Sequence, residues 1–146
     1  MSKILKIRAR QVFDSRGNPT IEAEVYSKNL SASAICPSGA STGTYEAFEK
    51  RDNNNKKYLG KSVLGAVNLV NTKISKKLIG KNIHDQTRID TILINLDGTR
   101  QKTSLGANAI LAVSMAAKKL SAKIKNIPLY KTFLVKNNYK LPYPLM

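Results

Sequence analysis

The chain has 146 residues, and 42% of them are hydrophobic, which suits one domain with its own core and excludes a disordered chain. Its formal net charge is +16, and its single cysteine, Cys36, excludes an internal disulfide and fits a reducing compartment. It has neither an apolar run of about eighteen residues nor an amino-terminal secretory signal, so we expect a cytoplasmic protein without membrane contact.

Three strands are predicted in the first quarter of the chain. Apolar and polar residues alternate over Leu5–Phe13 and Thr20–Ser27, and small residues continue the pattern over Ser31–Cys36. Turn residues at Asp14–Pro19 and Lys28–Leu30 separate these runs, which favours an antiparallel meander. The predicted apolar face of the first strand consists of Leu5, Ile7, Ala9, Gln11 and Phe13.

A helical layer is predicted to cover one face of this sheet. One apolar stripe recurs at helical spacing, and Gly80 is a suitable stop for its helix. A shorter helix is predicted after Asp85, a candidate N-cap, and it ends at Asp97-Gly98. The stripe consists of Val63, Val67, Val70, Ile74 and Leu78.

Two more helices complete the predicted layer. Leu105–Ile124 is long and rich in alanine, and Pro128 opens a short helix near Leu129–Val135. Residues 137–146 contain two prolines and are predicted to be extended. Strands followed by helices indicate an α+β fold, a three-stranded antiparallel meander followed by a helical layer.

The segment Pro37–Gly43 has the composition of a ligand-binding loop. It contains two glycines, two serines and a threonine, with no charged residue. Gly39 and Gly43 permit backbone conformations that other residues avoid, so the segment can fold over an anion or offer oxygens to a hard cation. The alternative from composition alone is an ordinary surface loop. Its hydroxyl groups belong to Ser38, Ser41 and Thr42.

The upstream motif Asp14–Thr20, DSRGNPT, and the loop motif PSGASTG together resemble the start of enolase (phosphopyruvate hydratase). Further stretches are similar to the same family in the same order, so the resemblance covers essentially the whole chain. These stretches are Gly60–Val67, Leu96–Thr99, Leu105–Ser114, Ile127–Tyr130 and Leu141–Met146.

The resemblance implies a domain organisation. Residues 1–136 are expected to form the amino-terminal capping domain of that family, and residues 137–146 an extended linker to a barrel domain. The barrel is expected beyond Met146 and therefore absent from this chain.

The resemblance also implies a reaction. Enolases reversibly dehydrate 2-phosphoglycerate to phosphoenolpyruvate with a lysine base, a glutamate acid and two magnesium ions. Those catalytic and metal-binding side chains belong to the barrel of the family. We therefore expect no catalytic base or acid in this chain, and we expect the chain alone to be inactive and to bind magnesium weakly.

What this chain is expected to supply is the loop that closes over the substrate. By resemblance Ser41 binds the substrate-associated magnesium ion, and Gly39 and Ala40 line the closed site. Gly43 is expected to act as part of a hinge, with Ser38 and Thr42 completing the loop.

The resemblance also implies a homodimer. Arg10 and Glu22 match positions at which the family's cap forms ion pairs between subunits, and Arg16 matches the arginine of the upstream turn. On residue type alone, Arg10 and Glu22 are exposed strand charges.

Two other functions are weighed against an enolase. The first is a stand-alone basic module that binds nucleic acid; because the lysines are scattered and no aromatic residues alternate with them, only non-specific binding is expected. The second is an independent phosphate-transfer enzyme, which the incomplete Walker pattern at Gly60-Lys61-Ser62 argues against. His84, the only histidine, is predicted to be a surface or capping residue, and no zinc site is expected.

Overall fold

The computed structural model describes residues 2–36, 38–39 and 43–133 and confirms the predicted α+β order. The strands are β1 (Lys6–Phe13), β2 (Pro19–Ser27) and β3 (Leu30–Cys36). They form one antiparallel sheet in the order β1-β2-β3, with short turns between neighbours, as the alternating pattern predicts.

The buried face of β1 is narrower than predicted. Ile7 is buried, but Leu5 and Phe13 are 54% and 53% exposed, so placing these two side chains in the core was wrong. Phe13 instead packs edge-on against Tyr58, with the ring centroids 5.3 Å apart. Ile4, just before the strand, is fully buried and joins Ile7 in the core.

The predicted helix over residues 63–78 forms as three consecutive segments. These are α1 (Leu64–Leu69), a π-helical turn (Val70–Ile74) and α2 (Ser75–Leu78). The stripe faces the core as predicted: Val67 is partly buried, and the other four side chains are fully buried. Gly80 follows with φ +84°, which confirms the helix stop.

The two remaining helices are α3 (Gln86–Asp97) and α4 (Ala107–Ile124). The Asp85 carboxylate accepts a hydrogen bond from the Arg88 N–H at 3.0 Å, so the predicted N-cap is confirmed. Gly98 ends α3 in the left-handed conformation at φ +71°. The buried alanines of α4 let it lie closely across β2 and β3.

A 3-10 turn at Leu129–Phe133 follows Pro128, where a short helix was predicted. The predicted continuation to Val135, the domain boundary at 136 and the extended linker 137–146 lie outside the described residues. Among the helices that the structure describes, none is long and apolar enough to cross a membrane.

Candidate functional site

The predicted loop begins where β3 ends, directly after Cys36. Ser38 is half-buried, whereas Gly39 and Gly43 are exposed. The remaining loop residues, Pro37, Ala40, Ser41 and Thr42, lie outside the described part of the chain. The metal-binding role of Ser41 and the lining role of Ala40 therefore stay predictions.

The first stem of the loop is held by Arg51. Its Nη2 donates to the Ser38 hydroxyl at 3.0 Å and to the Glu49 carboxylate at 2.8 Å. Its Nη1 donates to the carbonyl oxygen of Pro19 at 3.3 Å and to that of Lys61. One planar guanidinium thus joins four segments of the chain, which is what five donors in a rigid fork allow.

The upstream motif forms a turn that is largely closed by its own atoms. The Asp14 carboxylate accepts the N–H groups of Arg16 and Asn18, each at 2.9 Å. The hydrogen bond from Asn18 is the largest cause that lowers the pKa of Asp14 below its ordinary value. The Arg16 residue is exposed. Because Pro19 follows this turn, the bond from Arg51 to Pro19 brings the two motifs together.

The segment that carries Arg51 is fixed to α4 and to the turn before it. The Phe48 N–H donates to the Gln101 carbonyl at 2.7 Å, and the Phe48 carbonyl accepts from the Ala107 N–H at 2.8 Å. The Asn108 side chain accepts from the Lys50 N–H at 3.1 Å and donates to the Lys50 carbonyl at 3.0 Å. The buried Asn108 side chain therefore satisfies both backbone groups of Lys50, as a neighbouring β-strand would.

Gly106 lets this segment lie close to α4. Its φ is +94°, and a Cβ at this position would stand 2.5 Å from the Lys50 Cβ and 2.6 Å from the Asn108 Oδ1. No side chain fits there without displacing its neighbours. Gly106 lies in Leu105–Ser114, one of the stretches that resemble enolase. In the structure it allows the segment at Lys50 to approach α4 closely.

Asp52 connects the same segment to α1. Its carboxylate accepts the N–H groups of Leu64 at 2.9 Å and Gly65 at 2.8 Å, so it caps a helix from a distant loop. Burial raises the pKa of Asp52, but the hydrogen bonds from Gly65, Ser62 and Leu64 outweigh burial and leave the pKa lowered.

The second stem of the loop is more open. The Glu46 N–H donates to the Gly43 carbonyl at 3.2 Å, and Tyr45 is 97% exposed. A Cβ on Gly43 would meet only the Glu46 side chain, at 3.5 Å, which is an ordinary contact. This conformation does not require glycine at position 43, so the hinge role stays a prediction.

Arg10 and Glu22 lie opposite each other on β1 and β2. The Arg10 Nε and the Glu22 Oε2 are 2.6 Å apart, and the Arg10 Nη1 lies 3.8 Å from Glu24. The Arg10 side chain is 60% exposed. The two residues therefore pair within one chain in this structure, and their predicted role between subunits stays a prediction.

His84 packs against α4, and Cys36 is the last residue before the loop. The His84 Nδ1 lies 2.9 Å from the Ser121 hydroxyl, and His84 is half-buried against α4, while Asp85 is the residue that caps α3. Burial, then the nearby Lys125, lowers the pKa of His84. Burial also raises the pKa of the Cys36 thiol, and Glu49 adds to that effect.

Within the described ranges, no group of three or more His, Cys, Asp or Glu side chains could hold a metal ion. The Asp52 carboxylate is used by α1 and the Glu49 carboxylate by Arg51. Both carboxylates are thus engaged within the chain, and a magnesium site at Ser41 stays a prediction.

Sequence reasoning missed Arg51, Asp52, Gly106 and Asn108. Most of their partners lie 10 to 58 residues away along the chain, and no motif marks them. Arg51 did carry a signal in the sequence, because it is an arginine in a stretch whose other cations are lysines. Arginine and lysine are not equivalent where several acceptors must be held in one plane.

Comparison with known proteins assigns the family. The model of the family described as "Enolase, N-terminal domain" matches residues 4–133. An enolase of Pelagibacter ubique (strain HTCC1062) is 95% identical over all 146 residues, which make up 35% of that relative's length.

Two archaeal relatives give the same result. The enolases of Methanococcus vannielii and Methanosarcina mazei are 56% and 52% identical over 144 residues, or 98% and 99% of this chain. Each alignment covers 34% of the relative. The chain thus spans about a third of the length of these proteins and, from its fold and its family match together, it belongs to the family of enolase N-terminal domains.

Proposed function

We propose that this chain is the part of an enolase that carries the substrate-closing loop. The parent reaction is the reversible dehydration of 2-phosphoglycerate to phosphoenolpyruvate. The observation that supports this proposal is the Arg51 guanidinium, which bonds Ser38 at the loop stem and Pro19 at the upstream turn. Both motifs of the resemblance thereby stand side by side, anchored at a common base.

A closing loop fits the demands of this chemistry. Removing a proton from carbon next to a carboxylate builds negative charge, which magnesium ions stabilise when they are bound. A loop that excludes water strengthens every electrostatic interaction within the site. A loop of small residues without charge, held firmly at Ser38 and loosely at Gly43, is suited to closing in this way.

The catalytic base and acid belong to the same proposal, and we place them in the two-thirds of the relatives that this chain does not span. A homodimer in which Arg10 and Glu22 face the partner, and a location in the cytoplasm, also belong to it. The free Cys36 fits a reducing compartment.

Substitution of Ser41 tests the proposal. In the longer protein that contains the barrel, Ser41→Ala should lower turnover at least about tenfold, which corresponds to roughly 1.4 kcal/mol in the transition state. The hydroxyl is lost while the carbonyl oxygen stays, so loop closure gains less free energy from the metal. Steady-state kinetics across a magnesium titration measure this loss, and a melting curve should barely move.

The matched control is Ser104→Ala, an exposed serine in the turn before α4. It removes the same kind of hydroxyl at a position outside the loop and should leave turnover unchanged. Wild-type turnover and unchanged magnesium dependence in Ser41→Ala would show that Ser41 is an ordinary loop residue. Turnover by the 146-residue chain alone, retained after repurification, would contradict the placement of the base and acid elsewhere.

A further inference from the structure

A groove between α2 and α3 is lined by positive charge. Its volume is about 410 Å³, and its ionisable side chains are all cations. On α3 the lining residues recur at helical spacing, so they share one face of that helix. The lining consists of Lys77, Lys81, Arg88, Ile92, Asn95 and Leu96.

None of the described carboxylates forms an ion pair with these cations. Of the nine acidic residues of the chain, eight are used elsewhere, by helix N-termini, turns, neighbouring side chains or the two arginines Arg10 and Arg51. The ninth, Glu46, lies at the second stem of the loop. The ion pairs between described residues are formed by Arg10 and Arg51, and none is formed by a lysine.

The acidic residues nearest to the groove cations along the chain are Asp85 and Asp90. The Asp85 carboxylate accepts the Arg88 N–H at the start of α3, and the Asp90 carboxylate accepts from the Gln86 side chain and the Ser114 hydroxyl. Lys3 adds a further positive charge at this end of the molecule, because its backbone pairs with that of Asn82 and the Ile4 N–H donates to the Lys81 carbonyl at 2.9 Å. The groove is thus a concentrated cation site within a chain of net charge +16.

We propose that this groove binds the phosphate backbone of nucleic acid without sequence preference. A groove lined by three cations can follow a phosphodiester chain, which carries one negative charge at each nucleotide. The floor is aliphatic, from Ile92 and Leu96, and no aromatic ring lines it. Without an aromatic stacking surface, affinity comes mainly from counterion release and not from base recognition.

This inference is independent of the proposed reaction. The loop stems are held by Arg51, Gly43 and Glu46, and none of these lines the groove. A protein could therefore lose nucleic-acid binding and keep full enolase turnover, or the reverse.

The test compares two triple variants that remove the same charge. The groove variant carries Lys77→Gln, Lys81→Gln and Arg88→Gln. The control variant carries Lys28→Gln, Lys56→Gln and Lys57→Gln, all exposed positions outside the groove. Fluorescence anisotropy with a labelled oligodeoxynucleotide, single-stranded and then duplex, is measured on the 146-residue chain between 50 and 200 mM salt, roughly the range over which such binding changes most.

The wild-type chain should bind both forms at low salt. The groove variant should lose about two units of the slope of log affinity against log salt on the single strand, since each neutralised phosphate contributes roughly 0.7. Its affinity at the lowest salt should fall at least about tenfold by the same counterion release, while the control variant stays near wild type.

Three results would overturn the proposal. The wild-type chain could fail to bind, the two variants could weaken equally, or polyglutamate or anionic vesicles could displace the oligonucleotide at lower charge concentration than competing DNA. Equal weakening of binding in the two variants would mean that affinity depends on the net charge of the whole surface and not on the groove. Because Lys81 is half-buried, the double variant Lys77→Gln, Arg88→Gln repeats the measurement if the triple variant melts early.

Discussion

The two motif segments, the turn after β1 and the loop after β3, have similar small and polar residues but are stabilised differently. The turn is closed by Asp14, whose carboxylate binds two N–H groups within four residues. The described stem of the loop has no such internal acceptor, and its Ser38 hydroxyl is bonded to Arg51, thirteen residues further along the chain.

The difference separates a self-contained turn from a segment whose anchor belongs to another part of the chain. A turn that satisfies its own backbone keeps its shape whatever happens around it. A loop whose anchor belongs to another segment can change shape beyond that anchor while its base stays in place. The scaffold of the loop is therefore the segment Phe48–Asp52.

The largest effect is expected at Gly106. Gly106→Ala would force a Cβ to within 2.5 Å of the Lys50 Cβ at φ +94°. Backbone strain and overpacking together should destabilise the chain by about 3 kcal/mol or more. Denaturant unfolding measures the loss, and amide exchange should show that Lys50 loses protection.

The matched control is Gly17→Ala in the turn. Gly17 has φ +73°, but a Cβ there would meet no atom within 4 Å. It should cost roughly 1 kcal/mol, from backbone strain alone. Equal losses of unfolding free energy in the two variants would show that the close approach to Lys50 does not affect stability.

The next effect is expected at Arg51. Arg51→Met removes four hydrogen bonds of one charged group and should cost about 2 kcal/mol, because charge-assisted bonds are worth roughly twice neutral ones. Amide exchange should increase at both Ser38 and Thr20, since Arg51 holds both segments.

Arg51→Lys tests whether geometry or charge matters. Lysine keeps the charge but lacks the planar fork, so we expect it to recover well under half of the lost stability. Full recovery would mean that the site needs only a positive charge. Unchanged exchange at Thr20 in Arg51→Met would break the link between the turn and the loop stem.

The fold was predictable from sequence because its signals are local. The alternation in β2, the stripe over residues 63–78, the Asp85 cap and the Gly98 stop all depend on neighbours within a few residues. The exposed Leu5 and Phe13 show the limit of that logic, since alternation does not tell where the covering helix ends.

The site was predictable only as a motif. The loop was found by its composition and its resemblance to a family, whereas the anchor was not. Arg51 bonds Ser38, Pro19 and Lys61, which are separated from it by 13, 32 and 10 residues. Such contacts depend on how the meander and the following segment pack, which no pattern within the loop encodes.

The smallest effect, and the most direct test of independence, is acid titration of the turn. The hydrogen bond from Asn18 lowers the pKa of Asp14 in the folded chain, below the value of roughly 3.9 for an unfolded aspartate. The turn therefore keeps its full stabilisation above about pH 4 and loses it as the pH falls through the lowered folded pKa. Chemical shifts of the Arg16 and Asn18 amide protons should titrate below that pH. Arg51, the anchor of Ser38, also bonds the Glu49 carboxylate, so any change at the Ser38 amide should be the same in wild type and in Asp14→Asn. In the control Asp14→Asn the titration at Arg16 and Asn18 should vanish. If Ser38 shifts together with the turn in wild type but not in Asp14→Asn, the two segments are coupled and the turn is not the self-contained unit that its hydrogen bonds indicate.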